Sequence, residues 1–352
     1  MEAKSSKKRM VHYDLLRVIA AFSVVMLHSA AQFWYTLDVN DIQWKIANTY
    51  DALFRFGVPI FVMISGALFL GGSEKLNVKR LYAHNILRLA VIYIIWSCAY
   101  GLLDCRRIDW NYAGWKDVVR EMISGRYHLW FLPMIVGIYV LLPVLRTWVR
   151  NAEKQNLQYF IGLFFVLQIL RETLSALTTS DEFQTLLDLT RIELVCSYIG
   201  YFVWGYYIAH VGIPKKYHRW IYLSVIPSAI LNVALGNGLA VKAGVPVGTI
   251  YDSYGLFTFL TVTALFLFFA EVMSGVTYRP GMGRVLRELS GASLGIYVLH
   301  VGVMELTENI GIHSMVLPIG IGIPVYAVFC FLICYLLAAV LRRIPLIGRY
   351  LC

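Results

Sequence analysis

Ten apolar runs, each near the length of a membrane span and joined by short polar connections, leave this chain few folds to adopt. A bilayer core of ~30 Å takes about 20 apolar residues in a helix to cross. A helix also satisfies its own backbone polar groups, as lipid requires. The runs fall at 14–34, 52–71, 84–103, 129–147, 158–177, 194–212, 220–236, 255–274, 292–311 and 315–341. They predict an all-α integral membrane protein: a polytopic bundle of about ten transmembrane helices in one domain, 1–352. Basic tails at 1–12 and 342–352 flank it, and no soluble domain is expected. The last run has Pro318 and Pro324 near its start, so a kinked or re-entrant entry is expected there. Composition agrees, with 59% hydrophobic and 15% charged residues, against about 25% charged in soluble domains.

Lys and Arg set the orientation. With the N-terminus inside, the inside segments carry nineteen of them and the outside segments nine. That bias predicts both termini in the cytoplasm of a multi-pass cell-membrane protein. It also accounts for the net charge of +10 without nucleic acid, because the basic residues sit in short loops. The longest outside loop, 104–127, carries Trp110, Tyr112 and Trp115 as interface anchors, and its amphipathic run Trp115–Ile123 predicts a surface helix. Six scattered cysteines form no CxxC pair, so neither a disulfide framework nor a metal site is expected. The start MEAKSSKKR, followed by an apolar run, resembles a signal peptide. Retention is the expectation, since many later spans insert the chain anyway.

The first run, YDLLRVIAAFSVVMLH at 13–28, holds two costly polar groups. Arg17 and His28 are eleven residues apart, about three turns plus ~20°, so they share one face some 16 Å apart along the axis. Ala20, Ala21 and Ser23 keep the turns between them slim. Ionisable groups inside a span are a functional hypothesis by default, although a lone buried histidine also serves as a hydrogen-bonded structural group. Asp14 either orients Arg17 or caps the helix. Gly57, Pro59, Ser65 and Gly66 make the second run either a close-packing surface or a bent helix beside a cavity. Lys79, Arg80, His84 and Arg88 form a basic cluster, with His84 and Arg88 on one face, suited to a phosphorylated ligand or to anchoring at the membrane surface. His128 and Trp130 lie near the opposite interface, and Tyr297, His300 and Glu305 are buried late in the chain.

Laid out in this order, the blocks resemble the acyltransferase-3 family of bacterial integral membrane acyltransferases, which includes polysaccharide and O-antigen O-acetyltransferases. The first run fits that family's Arg…His pattern, and FRFGVPIFVMISG, HLWFLPMIVGIYVLLPVL, YIGYFVWGYYIA, GIYVLHV and RRIPLIGRYL look like its remaining blocks. The resemblance implies transfer of an acyl group, most often acetyl, from cytoplasmic acyl-CoA to a hydroxyl of a cell-envelope glycan or lipid-linked sugar. Acyl-CoA is then a donor substrate and not a resident cofactor. It implies catalytic roles for His28 and Arg17, donor binding by Arg17, Arg88, Lys79 and Arg80, and an acceptor side lined by His128, Trp130, Tyr297, His300 and Glu305. His28 would act as general base or carry the acyl group as an acyl-imidazole. Neither the esterase-like nor the racemase domain of some relatives is expected here, so the protein would act alone or recruit a partner. The rival reading is a transporter or exporter, although no matching halves are visible in the sequence; a structural subunit of a glycan assembly complex is a third.

Overall fold

The computed structural model of the protein describes residues 10–72, 74–104, 115–178, 180–189, 193–345 and 347–352. The basic tail before Met10, the anchors Trp110 and Tyr112, and Cys105 lie outside the described residues. Among those described there are helices and no strands. The chain runs α1 (Val11–Ala31), α2 (Ile42–Leu53), α3 (Gly57–Leu70), α4 (Val78–Leu103), α5 (Trp115–Ser124), α6 (Tyr127–Asn151) and α7 (Lys154–Leu177). It continues through α8 (Asp181–Leu189), α9 (Glu193–Tyr206), α10 (Lys215–Ala243), α11 (Thr249–Gly275), α12 (Pro280–Asn309), α13 (Ile319–Leu341) and α14 (Gly348–Leu351).

Nine candidate spans among the described residues are long and apolar enough to cross a membrane, α2 and α3 counting as one. The tenth run forms α9, whose backbone leaves helical geometry at Ser197 and which ends in a π-helical segment, Tyr207–Val211. The amphipathic run after Trp115 is the helix α5, packed on α4 where Gly101 meets Met122. The last span is not re-entrant. Pro318 caps α13, and Pro324 sits within two turns of its start.

The second span departs most from expectation. Helix begins at Ile42, ten residues before the apolar run, breaks at Phe54–Phe56, and resumes at Gly57. Pro59 lies in the first turn of α3, where an N–H has no intrahelical partner to lose. The bend therefore comes from the break, and the break carries Arg55.

α1 is the axis of the bundle. Its residues divide between two cores: Tyr13, Leu16 and Ala20 pack with α3, α6, α7, α9 and α11, whereas Ala21, Val24, Val25, Met26 and Ala30 pack with α4, α12 and α13. Small residues let backbones meet, the usual device of helix packing in lipid. A Cβ on Gly57 would stand 2.8 Å from the Ala20 carbonyl oxygen of α1. One on Gly66 would stand 1.8 Å from the Phe202 carbonyl oxygen of α9, and one on Gly205 would stand 2.2 Å from that of Met63. The glycines of α3 thus clamp it between α1 and α9.

Candidate active site

Two cavities enter the bundle from opposite ends and meet beside α1. The narrow one, about 340 Å³, is lined by Arg17, Ser65, Arg88, Tyr139 and Ser290 among others. The wide one, about 830 Å³, is lined by His28, Asp51, Arg55, His128, Trp130 and Glu305 among others. Val24, Val58, Phe131 and Tyr297 line both, and so form a septum between them. Arg17 and His28 therefore lie on either side of the septum, along one helix.

At the narrow end, the Arg17 guanidinium is 3.6 Å from the Asp14 carboxylate. Ser290 of α12 donates to the same Asp14 oxygen at 2.8 Å. Asp14 is buried, so it acts as a strut for Arg17 and not as an exposed cap. Arg88 donates through Nε to the Arg349 carbonyl at 2.7 Å and through Nη2 to the Cys352 carbonyl at 2.6 Å. It also lines an adjoining basic hollow of about 330 Å³ with His84, Arg342 and Arg349. Lys79 and Arg80 are exposed and line neither the narrow cavity nor this hollow. A π-helical stretch, Leu81–Ile86, separates them from Arg88; its extra residue turns the preceding segment by about 100° against the following one. Beside Arg88, burial pushes the Cys352 thiol up to about 11, against the pull of Arg342 and Arg88.

At the wide end, three imidazoles converge from helices far apart in sequence. The His28 and His300 ring centroids are 4.9 Å apart, and those of His128 and His300 are 5.1 Å apart. His300 is fully buried, and its Nδ1 lies 2.6 Å from the Tyr297 carbonyl oxygen. The His300 Nε2 and both His128 ring nitrogens make no hydrogen bond. His128 sits on the 3₁₀ turn Tyr127–Trp130 that opens α6, and its carbonyl accepts from the Tyr297 hydroxyl. Glu305 is ion-paired with Arg126 at the rim. Trp130 stands beside it, partly exposed, and stacks near Tyr198. His28, His128, Trp130, Tyr297 and Glu305 are thus brought to one cavity, while His300 lies behind His28.

Sequence reasoning missed the opposite wall. Asp51, buried on α2, accepts from Arg55 Nη2 at 2.6 Å, and the guanidinium lies over the Tyr251 ring at 5.3 Å. The Asn48 carboxamide oxygen accepts from Tyr251 and, at 3.0 Å, from the Trp34 indole. Asp252 and Glu308 add to the polar lining, Glu308 accepting from Gln32 at 2.9 Å. The spacing of Asp51 and Arg55 was the available signal: an i,i+4 pair at the edge of an apolar run. Such a lining suits a ligand rich in hydroxyls, which carboxylates accept from and aromatic faces stack on. The narrow end suits an anion, since guanidinium forks match phosphate.

The comparison with family models fits this layout. The acyltransferase-3 model, described as an acyltransferase domain, matches residues 11–343, from the start of α1 to just past the end of α13. No curated protein and no solved structure matches the chain. A match over nearly the whole chain, on a helical bundle with nine candidate spans, shows that this multi-pass membrane protein belongs to the acyltransferase-3 family.

Proposed function

We propose that the protein moves an acyl group, acetyl in the first instance, from cytoplasmic acyl-CoA to a hydroxyl of a cell-envelope glycan or lipid-linked sugar. The observation that carries this reading is the pair of cavities meeting at the Val24, Val58, Phe131 and Tyr297 septum, with Arg17 on one side and His28 on the other. The excess of Lys and Arg in the loops at the Arg17 end supports a cytoplasmic placement of that end, in what we read as a bacterial cell membrane. Arg88 and the adjoining basic hollow hold the nucleotide phosphates, Arg17 holds the next anionic group, and the thin pantetheine arm follows α1 to the septum. Lys79 and Arg80, exposed at the same end, attract the polyanion from the surface.

His28 meets the thioester carbonyl at the septum. As a base, it takes the proton of the acceptor hydroxyl while that oxygen attacks the carbonyl carbon. The carbon–sulfur bond breaks, and the coenzyme A thiolate leaves and takes up the proton. As a carrier, its unprotonated ring nitrogen attacks first, the thiolate leaves and takes the proton of the other ring nitrogen, and the acyl-imidazole then passes its acyl group to the hydroxyl, whose proton returns to the ring. Both routes use an unprotonated ring nitrogen of His28. His128, Trp130, Tyr297 and Glu305 hold the acceptor in the wide cavity.

The test uses protein in proteoliposomes with acyl-labelled acyl-CoA supplied at one face and envelope glycan at the other. Labelled glycan is expected from the native protein, and His28→Ala or Arg17→Ala should lower its formation by about 10²-fold or more. Full transfer by correctly inserted His28→Ala overturns the reading. Glycan flux without acyl turnover identifies an exporter instead.

A further inference from the structure

His300 is the one imidazole of the trio whose ring nitrogens are told apart by a hydrogen bond. Its Nδ1 lies 2.6 Å from the Tyr297 carbonyl oxygen. A carbonyl oxygen only accepts, so Nδ1 carries the hydrogen. The ring is fully buried, and the nearby carboxylate of Glu305 is paired with Arg126. An imidazolium there would be a buried charge without a counter-ion, so the ring is neutral and Nε2 presents a lone pair. That Nε2 has no partner. The His28 ring lies 4.9 Å away, centroid to centroid. An N–H···N bond between two imidazoles needs about 5 Å, from a ~2.9 Å nitrogen separation and the two ring radii.

We propose that His300 is a positioning residue for His28: a rotation of the two facing rings brings the His300 Nε2, unbonded in this arrangement, to accept the N–H of one His28 ring nitrogen, which fixes the tautomer and turns the other, unprotonated nitrogen toward the septum. The inference rests on the reading of His28 as the reacting group. It moves His300 from the acceptor wall to a place behind His28, in keeping with its absence from the cavity lining. It also limits what His300 does. With Nδ1 held by a backbone carbonyl, the ring offers a single free nitrogen and passes no proton from His28 to His128. Positive charge that develops on His28 during transfer is met by a stronger bond to Nε2, a role that a carboxylate plays beside other histidine bases. His128, which lines the wide cavity, stays on the acceptor side.

The experiment compares His300→Gln with His300→Leu. The Gln carboxamide reaches the place of Nε2 and accepts a hydrogen bond; Leu fills the buried site but accepts nothing. His300→Leu should lower kcat about 10²-fold with the KM values for acyl-CoA and acceptor unchanged, and His300→Gln should recover at least a tenth of the native kcat. A merely structural role predicts the reverse order, with Leu tolerated as well as or better than Gln. A loss confined to the acceptor KM returns His300 to the acceptor wall. Nitrogen NMR of histidine-labelled protein, with His28 assigned by difference against His28→Asn, reads the tautomer without turnover. One His28 tautomer is expected in the native protein and in His128→Asn, and a mixture in His300→Leu. An unchanged tautomer in His300→Leu overturns the proposal. If the native protein transfers no acyl group, the proposed function falls while the tautomer comparison still decides this point.

Discussion

Gly57→Ala tests whether the septum is set by the approach of α3 to α1. A Cβ there would stand 2.4 Å from Ser23 Oγ, 2.8 Å from the Ala20 carbonyl oxygen and 2.9 Å from Val24 Cγ2. Ordinary contact begins near 3.4 Å. The hydroxyl must therefore yield by 1.0 Å (3.4 less 2.4) and the backbone oxygen by 0.6 Å (3.4 less 2.8). Ser23 is held in place by its own bond to the Ala20 carbonyl at 2.8 Å, so rotating it away loses a buried hydrogen bond. Overpacking of this kind costs about 1–3 kcal/mol. At ~2 kcal/mol the midpoint of a chain of 352 residues falls by roughly 3 °C. The septum residues Val24 and Val58 adjoin the two contact points, so they separate as the helices do. A misplacement near 1 Å lowers a positioned reaction by up to ~10²-fold. The assay pairs a thermal melt in detergent with acyl transfer and acceptor-free acyl-CoA hydrolysis. Transfer should drop and hydrolysis should rise as water reaches the thioester. The control is Gly162→Ala on α7, where an added Cβ meets nothing within 4 Å; it should be neutral or slightly stabilising. A Gly57→Ala protein that melts and transfers like the control refutes the tight approach and the septum built on it.

Two further outcomes follow from the missed wall. Arg55→Leu strips the partner from buried Asp51 and should destabilise by about 3 kcal/mol, while the double variant Asp51→Leu/Arg55→Leu should recover most of that, as denaturant titration of the three proteins will read. The wide cavity sets Asp51, Asp252, Glu305 and Glu308 against Arg55 in its lining; a neutral glycan should therefore outcompete its uronate counterpart by about tenfold at low salt, the gap narrowing as salt is raised, and equal competition at low salt would show that these charges do not face the acceptor.

The spans were legible because an apolar run of ~20 residues reports its environment without help from tertiary contacts. Arg17 and His28 were legible for a similar reason: helical periodicity alone puts them on one face. What escaped was polar residue placement that only the fold resolves. α2 was read as loop because Gln43, Lys45, Asn48 and Asp51 dilute its hydropathy, although Asp51 lines the cavity, Asn48 is buried in bonds to Trp34, Tyr251 and Asn237, and Gln43 is at the surface. The trio His28, His128 and His300 draws on three helices, and no spacing along the chain encodes their meeting. Lys79 and Arg80 were grouped with Arg88 by proximity in sequence, but the π-helical stretch between them breaks the phase on which such grouping depends. The small residues of α3 were given two readings, and the close contacts of Gly57 and Gly66 select packing, with the cavity beside it as a consequence.

On the proposed function, the two cavities would let one chain serve both sides of a membrane without moving its donor. Every septum residue presents an apolar or aromatic surface: Val24, Val58, Phe131 and the Tyr297 ring, whose hydroxyl is spent on the His128 carbonyl. Bringing a phosphate through such a ring would strip its water with no cation in the ring to replace it, a cost of many kcal/mol. An acyl group carries no charge and meets no such barrier. On that reading the arginines lining the narrow end deepen the asymmetry, because they would hold the anionic head where it enters. On the proposed function, the side chains that would block passage of coenzyme A oppose an uncharged acyl group far less. The charge pattern along α1 thus supports the proposed transfer over export: a guanidinium before the septum, an imidazole after it, and only small or apolar side chains between them.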